Sequence, residues 1–133
     1  MDDVLINKAA SIERCISRIK EEYTSFDVLK HNQTKQDAII LNLQRAVETA
    51  IDMGTRVVRL KHLGIPQNSR EVFVLLATAK IISEALSERL QKMVGFRNIA
   101  IHEYTALNLE VVNSIIENNF QDMLDFSQIM LKC

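Results

Sequence analysis

The chain has 133 residues, with 16 Lys and Arg against 17 Asp and Glu and a formal net charge of −1, which predicts one domain and excludes global electrostatic steering toward nucleic acid, so any such role must rest on local charge. Hydrophobic residues make up 47% and charged residues 25%, a composition that excludes disorder and lets the chain bury roughly two-thirds of its unfolded surface around one core. With 3 Gly and 1 Pro, the turn residues of a many-stranded sandwich, barrel or doubly wound sheet are missing, and an all-α fold remains.

Leu5, Ala9, Ile12, Ile16, Ile19 and Tyr23 alternate at spacings of four and three and predict a first helix opening at Asp2 or Asp3. Asp27 to Lys35 carries no periodic apolar set and reads as a connection. Thr34 with Asp37 three residues on resembles a capping box and opens a long second helix whose stripe is Ile39, Leu43, Ala46, Val47, Ala50, Met53, Val57 and Leu60. Leu63-Gly64-Ile65-Pro66 ends it, because Gly64 accepts the left-handed end conformation and Pro66 cannot continue the ladder. Ser69 caps a short third helix to about Ala79, and Ser83 or Ser87 opens a fourth to about Tyr104. Asn108 caps a fifth, built on Val112, Ile115, Ile116, Phe120, Met123 and Leu124. The expectation is a bundle of about five helices spanning residues 1–133 as one domain, without repeat or linker.

Cys15 and Cys133 form no ligand or redox spacing, which fits a reducing cytoplasm. The opening Met1-Asp2-Asp3 has the wrong charge for a signal peptide, and the longest uncharged apolar run, Val72 to Ala79, falls far short of the ~20 residues that span a bilayer. A protein of the cytoplasm, without membrane contact, is expected. Residues 53–70 carry Arg56, Arg59, Lys61 and Arg70 with no acid, while 103–125 carry Glu103, Glu110, Glu117, Asp122 and Asp125 with no Lys or Arg. Either one end of the molecule is basic or these blocks are solvated helix faces.

The chemistry concentrates between Lys92 and Tyr104. At roughly 100° per residue, Leu86, Leu90, Met93, Val94, Ala100, Ile101 and Tyr104 all fall within about 60° of Arg97, which puts a guanidinium in an apolar stripe. Desolvating it alone costs several kcal/mol, so it must meet an acid, reach an aqueous cleft or lie at a subunit interface. Asn98 and His102 are stacked one turn apart on an adjoining face, where the amide can fix the imidazole tautomer and the long arginine can swing over the edge. Guanidinium, amide and imidazole in one volume suit a phosphodiester: imidazole can move a proton from a ribose 2′-hydroxyl, and guanidinium stabilises charge on the phosphoryl oxygens. The plainer readings are a packing histidine, a structural ion pair or snorkelling arginine, a Gly95 that permits close helix approach, a core Tyr104, and surface positions for His31 and His62. Three scattered histidines make a bound zinc unexpected, and no metal or cofactor is required by this chemistry.

Arg97, four intervening residues, His102, one more, then Tyr104 reproduces the Arg-x4-His-x-Tyr motif. With Leu41-Asn42-Leu43-Gln44-Arg45, Ala50-Ile51-Asp52, Leu63-Gly64-Ile65-Pro66, Ser69-Arg70 and Lys92-Met93-Val94-Gly95, the chain over nearly its whole length resembles the HEPN superfamily, in the HepT branch of toxins from bacterial toxin–antitoxin pairs. Where many relatives have Ala-Asn-His late in the second helix, this chain has Gly54-Thr55-Arg56.

The resemblance implies a helical bundle pairing as a symmetric homodimer whose two motifs face one cleft. It implies a metal-independent endoribonuclease of a type VII-like system in which His102 is the general base, Arg97 stabilises the pentacoordinate phosphate and Asn98 orients them, leaving a cyclic 2′,3′-phosphate on the RNA. One His102 per chain is short of an acid–base pair, so His102 of the partner subunit is the expected acid. The resemblance further implies a minimal nucleotidyltransferase antitoxin that transfers AMP to Tyr104 and can hold the toxin in a larger hetero-oligomer. The adduct would block RNA by bulk and like charge. The alternative is a non-catalytic helical module that binds such a nucleotidyltransferase.

Overall fold

The structure is a computed structural model and describes residues 2–133. Among the described residues, seven α-helices and one 3-10 turn follow in the order α1 (Asp3–Glu22), α2 (Phe26–His31), α3 (Gln33–Leu60), α4 (Ser69–Thr78), α5 (Glu84–His102), the turn Tyr104–Ala106, α6 (Leu109–Asn118) and α7 (Phe120–Leu131). The all-α expectation holds, and the expected five helices are corrected to seven.

The two additional helices have local causes. Helix α2 forms in the stretch that sequence periodicity leaves blank, because the Ser25 hydroxyl caps it by accepting from Val28 N at 3.2 Å and it needs only one buried anchor, Leu29. A six-residue helix with Leu29 buried and Phe26 half-buried against the core is too short to show a period. The expected fifth helix is broken between Asn118 and Phe120, where Asn119 leaves helical geometry at φ −120° and ψ 1°. Paired asparagines favour such a break because their side chains compete for local hydrogen bonds, here Asn118 Nδ2 to Ser114 Oγ and Asn119 Nδ2 to Asp122 Oδ2.

Caps also shift. The α3 cap is Asn32, whose side-chain oxygen accepts from Lys35 N at 3.0 Å, and not a Thr34–Asp37 box. Asn68, not Ser69, caps α4 by accepting from Glu71 N at 3.0 Å, whereas Ser83 caps α5 as expected, accepting from Leu86 N at 3.1 Å. At the end of α3 the left-handed residue is His62, at φ 54°. Its N–H donates to Arg59 O and that of Leu63 to Val58 O at 3.0 Å, the paired bonds of a Schellman ending. Helix α4 ends the same way on Lys80, at φ 61°, with Ile81 N donating to Leu76 O at 3.0 Å.

Helix α3, about 42 Å long at 1.5 Å per residue, is the axis on which α1, α4, α5 and α7 pack. It runs antiparallel to α1, as the cross-links Arg56–Asp2, Lys8–Asp52 and Lys35–Glu22 require. Its stripe is buried as expected except at Leu60, which is exposed in the last turn. Gly54 is the point of closest approach: a Cβ there would stand 2.7 Å from Val72 Cγ1 and 3.3 Å from Phe126 Cζ, so α4 and α7 close on bare helix backbone. Phe126 meets Phe73 edge-on with centroids 5.4 Å apart. Arg56 pairs with Asp2 at 2.8 Å, which depresses the Asp2 carboxyl below its ordinary range. Asp122 is held by Arg89 at 3.1 Å, so neither charge block is uniformly a solvated face. Among the described residues no helix is long and apolar enough to cross a membrane.

Candidate active site

Helix α5 buries Leu86, Leu90, Met93, Val94 and Ala100, as its stripe predicts. In its last turns the buried face rotates toward Phe96 and Ala100, while Ile101, expected inside, is 41% exposed. Arg97 is thereby moved from the middle of the apolar stripe to its edge, with a side chain 26% exposed. Of the three outcomes open to its charge, the one realised within the chain is an acid. Arg97 Nε lies 3.4 Å from Glu48 Oε1 on α3, and Nη1 donates to Asn98 Oδ1 at 3.0 Å. Gln44 Nε2, one turn before Glu48, also donates to its Oε1 at 3.4 Å.

The guanidinium therefore swings over the helix edge to the Asn98 face. The amide oxygen serves the arginine rather than the imidazole, which corrects its expected tautomer-setting contact. His102 follows Asn98 by one turn, about 6 Å along the axis and on nearly the same face, as the exposed last residue of α5. Arg97 and Asn98 are brought into contact, and His102 is joined to them by helix register. Over Gly95 lies the guanidinium of Arg70, 2.8 Å from where a Cβ would stand, so the close approach there is a side chain and not a helix axis.

Tyr104 is not on α5. The last helical turn closes with Glu103 N donating to Ile99 O at 2.8 Å, the Glu103 backbone departs at φ −142° and ψ 57°, and Tyr104 opens the 3-10 turn. Its hydroxyl donates to Asp37 Oδ1 at 2.5 Å, and Gln33 Nε2 holds the same oxygen at 2.8 Å. Partial burial, then the hydrogen bond and charge of Asp37, push the phenol up to about 12. The hydroxyl is thus fully protonated near neutrality and carries an acceptor in place for its proton.

Asp37 and Glu48, the partners of Tyr104 and Arg97, lie outside the motif and do not follow from it. Asp37, Gln44 and Glu48 stand at i, i+7 and i+11 on one face of α3, which meets antiparallel α5 with its carboxylates at Tyr104 and Arg97. That spacing was the available signal. Among the described residues no group of three or more His, Cys, Asp or Glu gathers closely enough to hold a metal ion.

Residues 12–130 match the family described as Ribonuclease HepT-like. The chain is 45% identical over 130 residues to the mRNA nuclease HepT of Shewanella oneidensis, a match covering 98% of each. Its fold matches a tri-AMPylated Shewanella oneidensis HEPN toxin, solved in complex with an MNT antitoxin, with TM-score 0.94, 44% identity and 100% coverage of both chains. A toxin–antitoxin structure with AMP-PNP matches with TM-score 0.94 at 42% identity, covering 99% of this chain and 100% of the other. The architecture is that of a HEPN toxin. The chain belongs to the Ribonuclease HepT-like family.

Proposed function

We propose that this protein is the toxin of a bacterial toxin–antitoxin pair, a single-domain, metal-independent endoribonuclease of the cytoplasm that is neutralised when a nucleotidyltransferase antitoxin transfers AMP to Tyr104. The observation that carries the reading is the Arg97 guanidinium held between Glu48 and Asn98 at a solvent-open helix end that also bears His102. His102 takes the proton of a ribose 2′-hydroxyl. The freed oxygen attacks the adjacent phosphorus, the bond to the 5′-oxygen breaks, and the products are a cyclic 2′,3′-phosphate and a 5′-hydroxyl. The nucleophile belongs to the substrate, so no metal has to generate it. Arg97 carries the charge that develops on the phosphoryl oxygens, and Asn98 fixes the guanidinium. Protonation of the leaving 5′-oxygen falls to His102 of the partner subunit in a symmetric homodimer, to which the exposed Ile101 on the Arg97 flank of α5 and the exposed Leu41 on α3 offer apolar contact. RNA is the substrate class, messenger RNA being the one named for the Shewanella relative.

The regulatory half rests on Tyr104. Its oxygen attacks the α-phosphorus of ATP, the bond to the β-phosphate oxygen breaks, pyrophosphate leaves, and Asp37 takes the phenolic proton. The Shewanella toxin, tri-AMPylated and in complex with an MNT antitoxin, supports AMP transfer as the modification, and the Tyr104 hydroxyl with its Asp37 acceptor supports this residue as its target.

One observation favours a second reading, a binding module without turnover: Arg97 is already ion-paired with Glu48 at 3.4 Å. Growth assays separate the two. Induced wild-type protein is expected to slow growth and the soluble Arg97→Ala or His102→Ala variants to relieve it; equal toxicity of the variants would favour the binding module. Coexpression with the antitoxin is expected to add about 329 Da per AMP, absent in Tyr104→Phe.

A further inference from the structure

Three arginines outside the motif have no part in the chemistry described above. Arg14 and Arg18 stand one turn apart on α1, and Arg45 meets them from α3, lining with Ser11 and Thr49 a cleft of about 290 Å³. All three arginines are exposed, and Cys15 between them is buried. The cleft also has two carboxylates, each engaged elsewhere: Glu48 by Arg97 and Asp52 by Lys8, both at 3.4 Å. Among the described residues none of the three arginines is ion-paired, and Arg14 Nη2 donates to Ser11 Oγ at 2.9 Å. Three arginines facing two carboxylates that already serve Lys8 and Arg97 leave the cleft with an excess of positive charge, which an anion would offset.

The kind of anion follows from the lining. Planar guanidinium forks match phosphate oxygens, and the hydroxyls of Ser11 and Thr49 add donors. No exposed aromatic or long aliphatic side chain lines the cleft, so it lacks the apolar anchor on which protein partners concentrate their binding energy. Its position is informative as well, because Glu48 is both a wall of the cleft and the partner of Arg97. The basic block read from sequence lies elsewhere: Arg59 and Lys61 are about 20 Å further along α3, and Arg56 is held by Asp2.

We infer that the cleft between α1 and α3 binds backbone phosphates of the RNA strand whose cleaved linkage lies at Arg97, Asn98 and His102, an inference that rests on the nuclease reading of that site. The strand enters over Arg14, Arg18 and Arg45 and passes Glu48 to reach Arg97.

Binding of a fluorescein-labelled 15-nucleotide 2′-O-methyl RNA, which lacks the attacking hydroxyl and survives in wild-type protein, tests this across a salt series. Each phosphate contact on a single strand contributes about 0.7 to the slope of log K against log salt. The variant Arg14→Gln/Arg18→Gln/Arg45→Gln is expected to lose about two from that slope, a weakening of about a hundredfold at 0.1 M salt that vanishes toward 1 M. Arg18→Gln alone loses about 0.7, the triple Arg→Lys variant keeps most of the slope, and Arg59→Gln/Lys61→Gln binds as wild type does. On cleavable RNA the triple Gln variant raises KM and leaves kcat unchanged. Unchanged slope and KM in the triple Gln variant, or an equal loss in the Arg59/Lys61 control, would overturn the inference. So would normal RNA binding combined with lost hold on the nucleotidyltransferase, which would make the cleft a protein interface. If the triple variant loses RNA while Arg97→Ala and His102→Ala still cut at full rate, the cleft stands and the active-site reading falls; the reverse pattern removes the cleft alone.

Discussion

Replacing Asp37 by Asn removes the charge that holds the Tyr104 hydroxyl at 2.5 Å while keeping the side chain's shape. The phenol is pushed from 10.0 to about 12, first by burial and then by the hydrogen bond and charge of Asp37. A two-unit shift is worth about 2.7 kcal/mol in full. Tyr104 is 38% exposed, so solvent screening reduces its share of stability to about 1 kcal/mol. The folded value is raised, so that contribution is fully present below pH 10 and lost as pH rises toward about 12. The chain has 2 Tyr and no Trp, which makes phenolate absorbance a clean readout. The second phenol, Tyr23, is raised as well by burial and by Glu117, and Tyr104→Phe leaves it as the only transition. Subtracting that curve from wild type is expected to place the Tyr104 midpoint near 12. In Asp37→Asn the midpoint falls but stays above 10, because burial, the first cause, remains. The same variant is expected to slow AMP transfer by about a hundredfold, the scale of a lost general base. A wild-type midpoint at the ordinary tyrosine value, or a midpoint unmoved in Asp37→Asn, would refute the reasoning.

Phe126→Ala empties the space between Phe73 and the bare backbone at Gly54 and is expected to cost about 3–5 kcal/mol in a denaturant titration. Lys80→Gly relieves a left-handed residue at φ 61° and is expected to stabilise by about 0.5–1 kcal/mol, read as a rise in the thermal midpoint. Glu48→Gln frees Arg97 Nε from its carboxylate. It is expected to lower kcat on RNA by about tenfold through a misplaced guanidinium, with KM little changed.

How much was legible in the sequence differs between the scaffold and the site. Long periodic stretches such as Ile39 to Val57 report their own burial, so α1, α3 and the first part of α5 were readable. Helix α2 was not, because one buried Leu29 makes no period, and Asn119 hid a break inside a run whose apolar spacing continues across it. Glycine costs least in a left-handed helix end, which points to Gly64 after α3, yet His62 takes that position; there, and at Lys80 after α4, Schellman bonds and packed Leu63 and Ile81 hold the turn. In the site, Arg97 and Asn98 were legible from helix geometry, since both sit on one regular element. The partners Glu48 and Asp37 lie 49 and 67 residues away in sequence, and only the antiparallel packing of α3 on α5 pairs them. Nothing in the motif marks that α5 ends at His102, so helix periodicity carries Tyr104 onto α5 although it opens the 3-10 turn.

The chemistry of the cut end decides whether Arg97 and His102 perform the transfer described. RNA treated with purified wild-type protein in the presence of a chelator is expected to carry cyclic 2′,3′-phosphate and 5′-hydroxyl ends by mass spectrometry, with yield falling roughly a hundredfold or more in folded Arg97→Ala and His102→Ala. Ends bearing 3′-hydroxyl and 5′-phosphate, or full cleavage by His102→Ala, would contradict it.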